Sequence, residues 1–308
     1  MAFDKRFEDQ VRLLVRAIPV VDQEPLFALK GGTAINLFVQ DMPRLSVDID
    51  LACLSIAPRA EALVECSNAL SRIAANLEKR MPGVGVLHQT NKDDELRIVV
   101  RQGKCQIKIE VSPVARGALH PPERRDVVDV VSNEYGFAST QVVSLPDLYG
   151  GKLCAAMDRQ HPRDLFDVRQ LLQADGLDRS IFLGFLVYLM GHPRPLSEVL
   201  DPRWKPLEQV FANEFEGMSR IAVSLPELYK TRDAMRQILH GHFTEQDARF
   251  LIAFAQGEPD WSLLPLEGVA QLPAVRWKLH NIDKMSAEKK AAELDKLRGI
   301  LTAAGAFP

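Results

Sequence analysis

Chemistry can be read first at the segment Lys30-Gly31-Gly32-Thr33. A short apolar run, Leu26 to Leu29, here gives way to a helical stretch that reaches Val39. Glycines at such a junction let the backbone approach a ligand closely. The first N–H groups of the following helix have no partner inside it, and the helix dipole favours an anion, so the turn suits a phosphate. Thr33 adds a hydroxyl donor. A glycine pair alone is as readily a tight packing turn. The next segment is Arg44-Leu-Ser46-Val-Asp48-Ile-Asp50-Leu. As a strand it puts Val47, Ile49 and Leu51 on one face and Asp48 and Asp50 on the other. Aspartate is disfavoured in strands. A carboxylate pair repels itself unless a cation sits between, and oxygen donors suit Mg2+ or Mn2+. A bare Asp-x-Asp is more commonly a solvated strand face.

A third acid comes from Lys104-Cys-Gln-Ile-Lys-Ile-Glu110-Val, where Ile107, Ile109 and Val111 alternate with Lys108 and Glu110. Laid beside the Asp-x-Asp strand, it adds Glu110 to Asp48 and Asp50; taken singly, Glu110 is an exposed sheet residue. Arg44 is a fork-shaped donor for phosphate or a surface arginine, and Ser46 lies between it and the acids. Lys30 suits a phosphate or an acid equally. Further on, a helix over Pro146 to Arg159 aligns Tyr149, Lys152 and Ala156 on one stripe. A lysine on an inner face needs an acid or a ligand; otherwise Lys152 is a surface lysine. Asp164 and Asp167 share a face near the start of the next helix, where negative charge is favourable and where Arg159 or Arg163 is in reach.

Gly31-Gly32-Thr33, then Arg44-x-Ser46-x-Asp48-x-Asp50, then an acid on a later strand, resembles the nucleotidyltransferase superfamily of the DNA polymerase β type. Lys152-Leu-Cys-Ala-Ala-Met-Asp-Arg159 followed by Pro162-Arg-Asp164-Leu-Phe-Asp167-Val resembles the later motifs of the AbiEii/AbiGii toxin family. Those are nucleotidyltransferase toxins of type IV toxin–antitoxin and abortive-infection systems. The similarity runs over roughly residues 25 to 172. Two positions depart from the common pattern: Thr33 stands where serine is frequent, and Glu110 where aspartate is frequent.

The resemblance implies an α+β fold: a polymerase β-type core with a mixed sheet, then an all-helical C-terminal domain. It implies metal-dependent transfer of a nucleotide from an NTP to an acceptor hydroxyl, most readily the 3′ end of a tRNA. Asp48, Asp50 and Glu110 would hold Mg2+ or Mn2+, or Glu110 would orient the attacking hydroxyl. Gly31, Gly32, Thr33, Arg44 and Ser46 would hold the nucleotide. Lys152 would neutralise phosphoryl charge, with Asp164 in the chemistry and Asp167 holding Lys152. A cognate antitoxin encoded nearby is the implied protein partner. The alternatives are a nucleotidyltransferase acting on a protein or small molecule, or a non-enzymatic nucleotide-binding protein.

The elements that must position these residues follow from periodicity. An amphipathic helix opens the chain, with Val11, Leu14, Val15 and Ile18 on one face. A strand is expected over Arg44 to Leu54 and a long helix over Pro58 to Arg80. Three strands follow, Val84 to Gln89, Glu95 to Arg101 and Lys104 to Ser112, the last two joined at Gln102-Gly103. Another lies near Phe137 to Val143. Ser144-Leu-Pro-Asp147 reads as a capping box with an early proline. Helices dominate from there: to about Asp158, Pro162 to Leu172, Arg179 to Met190, Leu207 to Gly217, Leu225 to Leu239, Glu245 to Gln256 and Ala287 to Ala304. The expected domains are therefore 1–143, catalytic, and 144–308, helical and carrying the Lys152 and Asp164 motifs.

Composition narrows the partners. With 38 basic and 41 acidic side chains among 308 residues, the net charge of −3 excludes a basic nucleic-acid coat. Any RNA contact must be a local patch. Candidates are Lys92, Arg97, Arg101, Lys104 and Lys108; Arg159, His161 and Arg163; and Arg276, Lys278, Lys284, Lys289 and Lys290. The four cysteines, Cys53, Cys66, Cys105 and Cys154, form no CxxC pair and suit a reducing, cytoplasmic setting. His240-Gly-His242 lacks a third ligand and reads as packing. The N-terminus has no apolar signal core, and the apolar run Ile181 to Met190 is about half of a bilayer span, so no membrane is expected.

Overall fold

The computed structural model describes residues 5–90, 96–112, 114–174 and 176–307. They form two compact units. The first comprises Met1–Ser144 with Ala212–Val223; the second comprises Leu145–Phe211 with Ser224–Pro308.

The first unit opens with α1 (Lys5–Val21), whose face of Val11, Leu14, Val15 and Ile18 is buried. Then come β1 (Phe27–Lys30) and α2, one α turn over Gly31–Ala34 that widens into a π turn over Ile35–Val39. β2 (Asp48–Cys53) and α3 (Arg59–Arg80) follow. The remaining elements are β3 (Val84–Thr90), β4 (Leu96–Gln102), β5 (Cys105–Val111), β6 (Glu123–Asp126), α4 (Asp129–Tyr135) and β7 (Ser139–Val142). Lys92 and Glu95 lie outside the described residues.

The seven strands form one mixed sheet in the order β3-β4-β5-β2-β1-β7-β6. β2 runs antiparallel to β1 and parallel to β5, and β1 runs parallel to β7. β4 and β5 form the expected hairpin, with Gln102 opposite Cys105 and Gly103 at a φ of +61°. Ile49, Leu51 and Cys53 of β2 and Ile107, Ile109 and Val111 of β5 are buried. That fixes the opposite face for Asp48, Asp50, Lys108 and Glu110, because a strand turns alternate side chains to opposite sides.

The strand expected from Arg44 starts instead at Asp48. Leu45 N–H donates to Met218 O at 2.7 Å, Arg220 N–H donates to Pro43 O at 2.9 Å, and Arg44 bridges Ser219. The segment Ala212–Val223, expected in the helical half, thus belongs with the first unit. β6 and α4 escaped the sequence reading: Glu-Arg-Arg-Asp shows no apolar alternation because β6 is a sheet edge.

The second unit holds α5 (Leu145–Asp158), α6 (Pro162–Ala174), α7 (Arg179–Met190), α8 (Leu196–Leu200), α10 (Leu225–Gly241), α11 (Glu245–Gln256), α12 (Pro273–Asp283) and α13 (Ala287–Ala303). A short α9 (Glu208–Glu214) spans the junction at Ala212. α5 and α7 touch through backbone: a Cβ on Gly150 would lie 2.4 Å from Gly184 C, and one on Gly184 2.2 Å from Pro146 O. α7 is buried along nearly all its length, as an inner helix must be. Among the described residues no helix is long and apolar enough to cross a membrane. His240 and His242 meet backbone carbonyls of Leu200, Ile238 and Leu177, which accounts for both as packing residues.

Candidate active site

The first unit gathers most of the expected site on and beside β2. Lys30 leaves β1 in an extended conformation, and Gly31 then turns to a φ of +72°, a region that favours glycine. A Cβ on Gly31 would stand 2.5 Å from Asp50 Oδ2. The missing side chain is what lets the turn and the Asp50 carboxylate share the space. Gly32 has no positive φ, but a Cβ there would lie 2.7 Å from Arg44 Nη2 and 3.0 Å from Ser46 Oγ, so the guanidinium would have to shift.

Thr33 departs from its expected role as a phosphate donor. It is fully buried, and its Oγ1 lies within hydrogen-bond distance of Asp48 O and, at 2.9 Å, of Ser46 Oγ. A carbonyl only accepts, so the Thr33 proton goes to Asp48 O and the Ser46 hydroxyl donates to Thr33. This chain ties the helix start to the first residue of β2. Arg44 is also turned inward: it is 2% exposed and donates to Leu45 O at 2.8 Å, beneath Gly32. Arg44, Ser46 and Thr33 therefore brace the turn rather than line its outer side.

Asp50 stands in register with Lys30 on β1 and with Glu110 on β5, and Asp48 with Lys108. Burial pulls the Lys30 ammonium below its usual range, while the charge of Asp50 opposes that pull. Glu110 shares the face of the two aspartates, as the alternation requires. It is ion-paired with Arg97 at 2.6 Å, a partner the sequence reading placed only in a basic patch. Register arithmetic would have found it: counting back from Gln102 opposite Cys105 sets Arg97 against Glu110. Burial pushes the Glu110 carboxyl above its usual range; Arg97 draws it down, and Asp50 and Asp48 push it up.

Among the described residues, no group of three or more His, Cys, Asp or Glu side chains is gathered closely enough to hold a metal ion. The expected triad is thus reduced here to an aspartate pair, with Glu110 engaged by Arg97. The pair still fits a hard divalent cation. Its donors are carboxylate oxygens on one strand face, and their charge is felt at Glu110.

In the second unit, Lys152 of α5 is 6% exposed and lies between the acids of α6, 2.9 Å from Asp164 Oδ1 and 2.9 Å from Asp167 Oδ2. Arg159 grips Asp164 in two places, Nε to Oδ2 at 2.6 Å and Nη2 to Oδ1 at 2.8 Å. Burial raises the Asp164 carboxyl, but Lys152 and Arg159 outweigh it and hold the group well below the carboxylate range. The lysine expected against a triphosphate thus has two protein carboxylates as partners, and Asp164 is fully enclosed.

This fold is that of a nucleotidyltransferase. The chain shares it with MenT4, the nucleotidyltransferase toxin Rv2826c of Mycobacterium tuberculosis H37Rv, at 15% identity and a TM-score of 0.57 over 96% of this chain and 92% of that one. Residues 12–281 match the family described as nucleotidyl transferase AbiEii toxin, type IV toxin–antitoxin system, and the chain belongs to that family. It is a nucleotidyltransferase toxin of a type IV toxin–antitoxin system. No curated protein matches the sequence.

Proposed function

We propose that the chain transfers a nucleotide from an NTP to the 3′ hydroxyl of an RNA, with a tRNA as acceptor. The observation that carries the chemistry is the placement of Asp48 and Asp50 on one face of β2, with Asp50 seated against the Gly31 turn. Family membership implies an NTP substrate and, typically, a divalent metal. Asp48 and Asp50 are the residues that would hold it. Bound there, Mg2+ or Mn2+ supplies charge neutralisation for the triphosphate and for the leaving pyrophosphate.

The chain's own groups do the rest. Backbone N–H groups at the start of α2 would offer donors to the phosphates, in a turn where Gly31 leaves no room for a Cβ. Thr33 and Ser46 tie that turn to the first residue of β2, with Arg44 packed beneath Gly32, and so position the turn relative to the aspartates. Glu110, in register with Asp50 and ion-paired with Arg97, stands on the aspartates' face, where it would orient the acceptor hydroxyl. Lys152, Asp164, Asp167 and Arg159 act as positioning residues: a charge cluster, enclosed except for the exposed Arg159 side chain, that locks α5 to α6. The cognate antitoxin is the protein partner that the family implies.

The acceptor is tested by incubating purified protein with each labelled NTP, Mg2+ and total tRNA. Labelled RNA, sensitive to periodate treatment of its 3′ end, is the expected result. Label on protein in place of RNA would overturn the acceptor and leave the transferase chemistry standing.

A further inference from the structure

Trp277 on α12 is 58% exposed. The other tryptophans are engaged: Trp261 packs against Phe250 at 5.6 Å and Phe254 at 6.5 Å between ring centroids, and Trp204 lies 4.7 Å under the Arg232 guanidinium. Trp277 stands beside another exposed ring. His280, one turn on, lies 5.6 Å from it at an interplanar angle of 33°. Val275, Lys278 and Ile282 form the buried side of α12, and the Lys278 ammonium is tied to His192 O and Arg194 O. At 100° per residue, Arg276, Trp277, His280 and Lys284 fall on the opposite side as one stripe, and all are exposed. The nearby acid Asp283 is directed elsewhere: its Oδ1 would lie 3.0 Å from a Cβ on Gly257.

We propose that this stripe is a stacking platform for an unpaired nucleotide of the acceptor RNA. A flat aromatic surface between an arginine and a lysine matches a strand that presents base faces along a chain of phosphates. Arg276 and Lys284 on the same stripe supply the positive charge that a phosphate chain beside the stacked base requires. The inference rests on the RNA-acceptor reading above, and it assigns to that acceptor a surface distant in sequence from the aspartates.

The test uses full-length Asp48→Ala protein, so that binding is measured without turnover. It is titrated with a single-stranded oligoribonucleotide and with a blunt RNA duplex of the same length. The single strand is expected to quench tryptophan emission. Trp277→Ala should weaken its binding about 5- to 160-fold, with Trp277→Phe retaining most of the affinity. Duplex binding should change less than twofold. In the protein with Asp48 intact, Trp277→Ala should raise KM for RNA and leave kcat unchanged. Equal single-strand affinity for wild type and Trp277→Ala overturns the platform, as does loss of antitoxin binding with RNA binding intact. Failure of the parent reading looks different: the platform binds RNA while no label enters it.

Discussion

Gly31 and Asp50 occupy one small volume: the turn passes so close to the carboxylate that a methyl group on Gly31 would come within 2.5 Å of Asp50 Oδ2. Gly31→Ala is therefore expected to fail twice, once through its φ of +72° and once by displacing the aspartate. Nucleotide transfer should fall by at least tenfold. Gly83→Ala is the control. It shares the positive φ, at +76°, but has nothing within 4 Å of the added carbon. It should cost about 1 kcal/mol of stability through the backbone alone and leave transfer intact. Equal rates for the two variants would remove the steric argument.

Thr33 makes a second, separable prediction. Thr33→Val keeps the shape and removes the proton from the Asp48 carbonyl. The expected cost is about 1–3 kcal/mol in unfolding free energy, with transfer reduced because β2 loses its tie to the helix. Thr33→Ser retains the hydroxyl and should retain the rate. A direct phosphate contact would instead show itself as a raised KM for NTP with unchanged stability.

The Lys152 cluster predicts a stability defect. Lys152→Met removes the cation that lies between the enclosed carboxylates of Asp164 and Asp167, and should cost about 3–5 kcal/mol by chemical denaturation. Adding Asp167→Asn should restore part of it. The pH dependence follows from the lowered pKa of Asp164. A carboxyl depressed by folding contributes stability that is fully present above the ordinary aspartate value of about 4. That stability is lost as pH falls through the folded value. Asp164→Asn should flatten this acid limb, measured as unfolding free energy against pH.

The aspartate pair predicts stabilisation by a divalent cation. Bound only by the folded chain, Mg2+ or Mn2+ at about a hundred times its Kd should add about 2.7 kcal/mol. A rise in Tm that disappears in Asp50→Asn is the expected outcome. A rise that persists there would place the cation elsewhere.

How much of this was legible in the sequence depends on the range of each interaction. Periodicity located Arg179–Met190 and Glu245–Gln256 to the residue, because each buries one contiguous set of apolar side chains. The alternation in β2 and β5 put Asp48, Asp50 and Glu110 on a common face, and the register agrees. What escaped was pairing between distant segments. Nothing local in Ser219 marks it as the bridge partner of Arg44. Nothing in Thr33 tells an inward hydroxyl from an outward one, since the same residue in the same turn serves either. Lys152 shows the same ambiguity. Its place on an inner stripe was readable and Asp167 was expected to hold it, but the second carboxylate, Asp164, depends on how α6 packs on α5.

The central claim is that the face of β2 carries the reaction. It is tested most directly by single-turnover transfer from labelled NTP to tRNA, comparing wild type with Asp48→Ala at matched folded fraction. Label on RNA is expected with wild type, none above background with Asp48→Ala, and growth arrest should be relieved by the same substitution in cells. Transfer and toxicity that survive Asp48→Ala would contradict it.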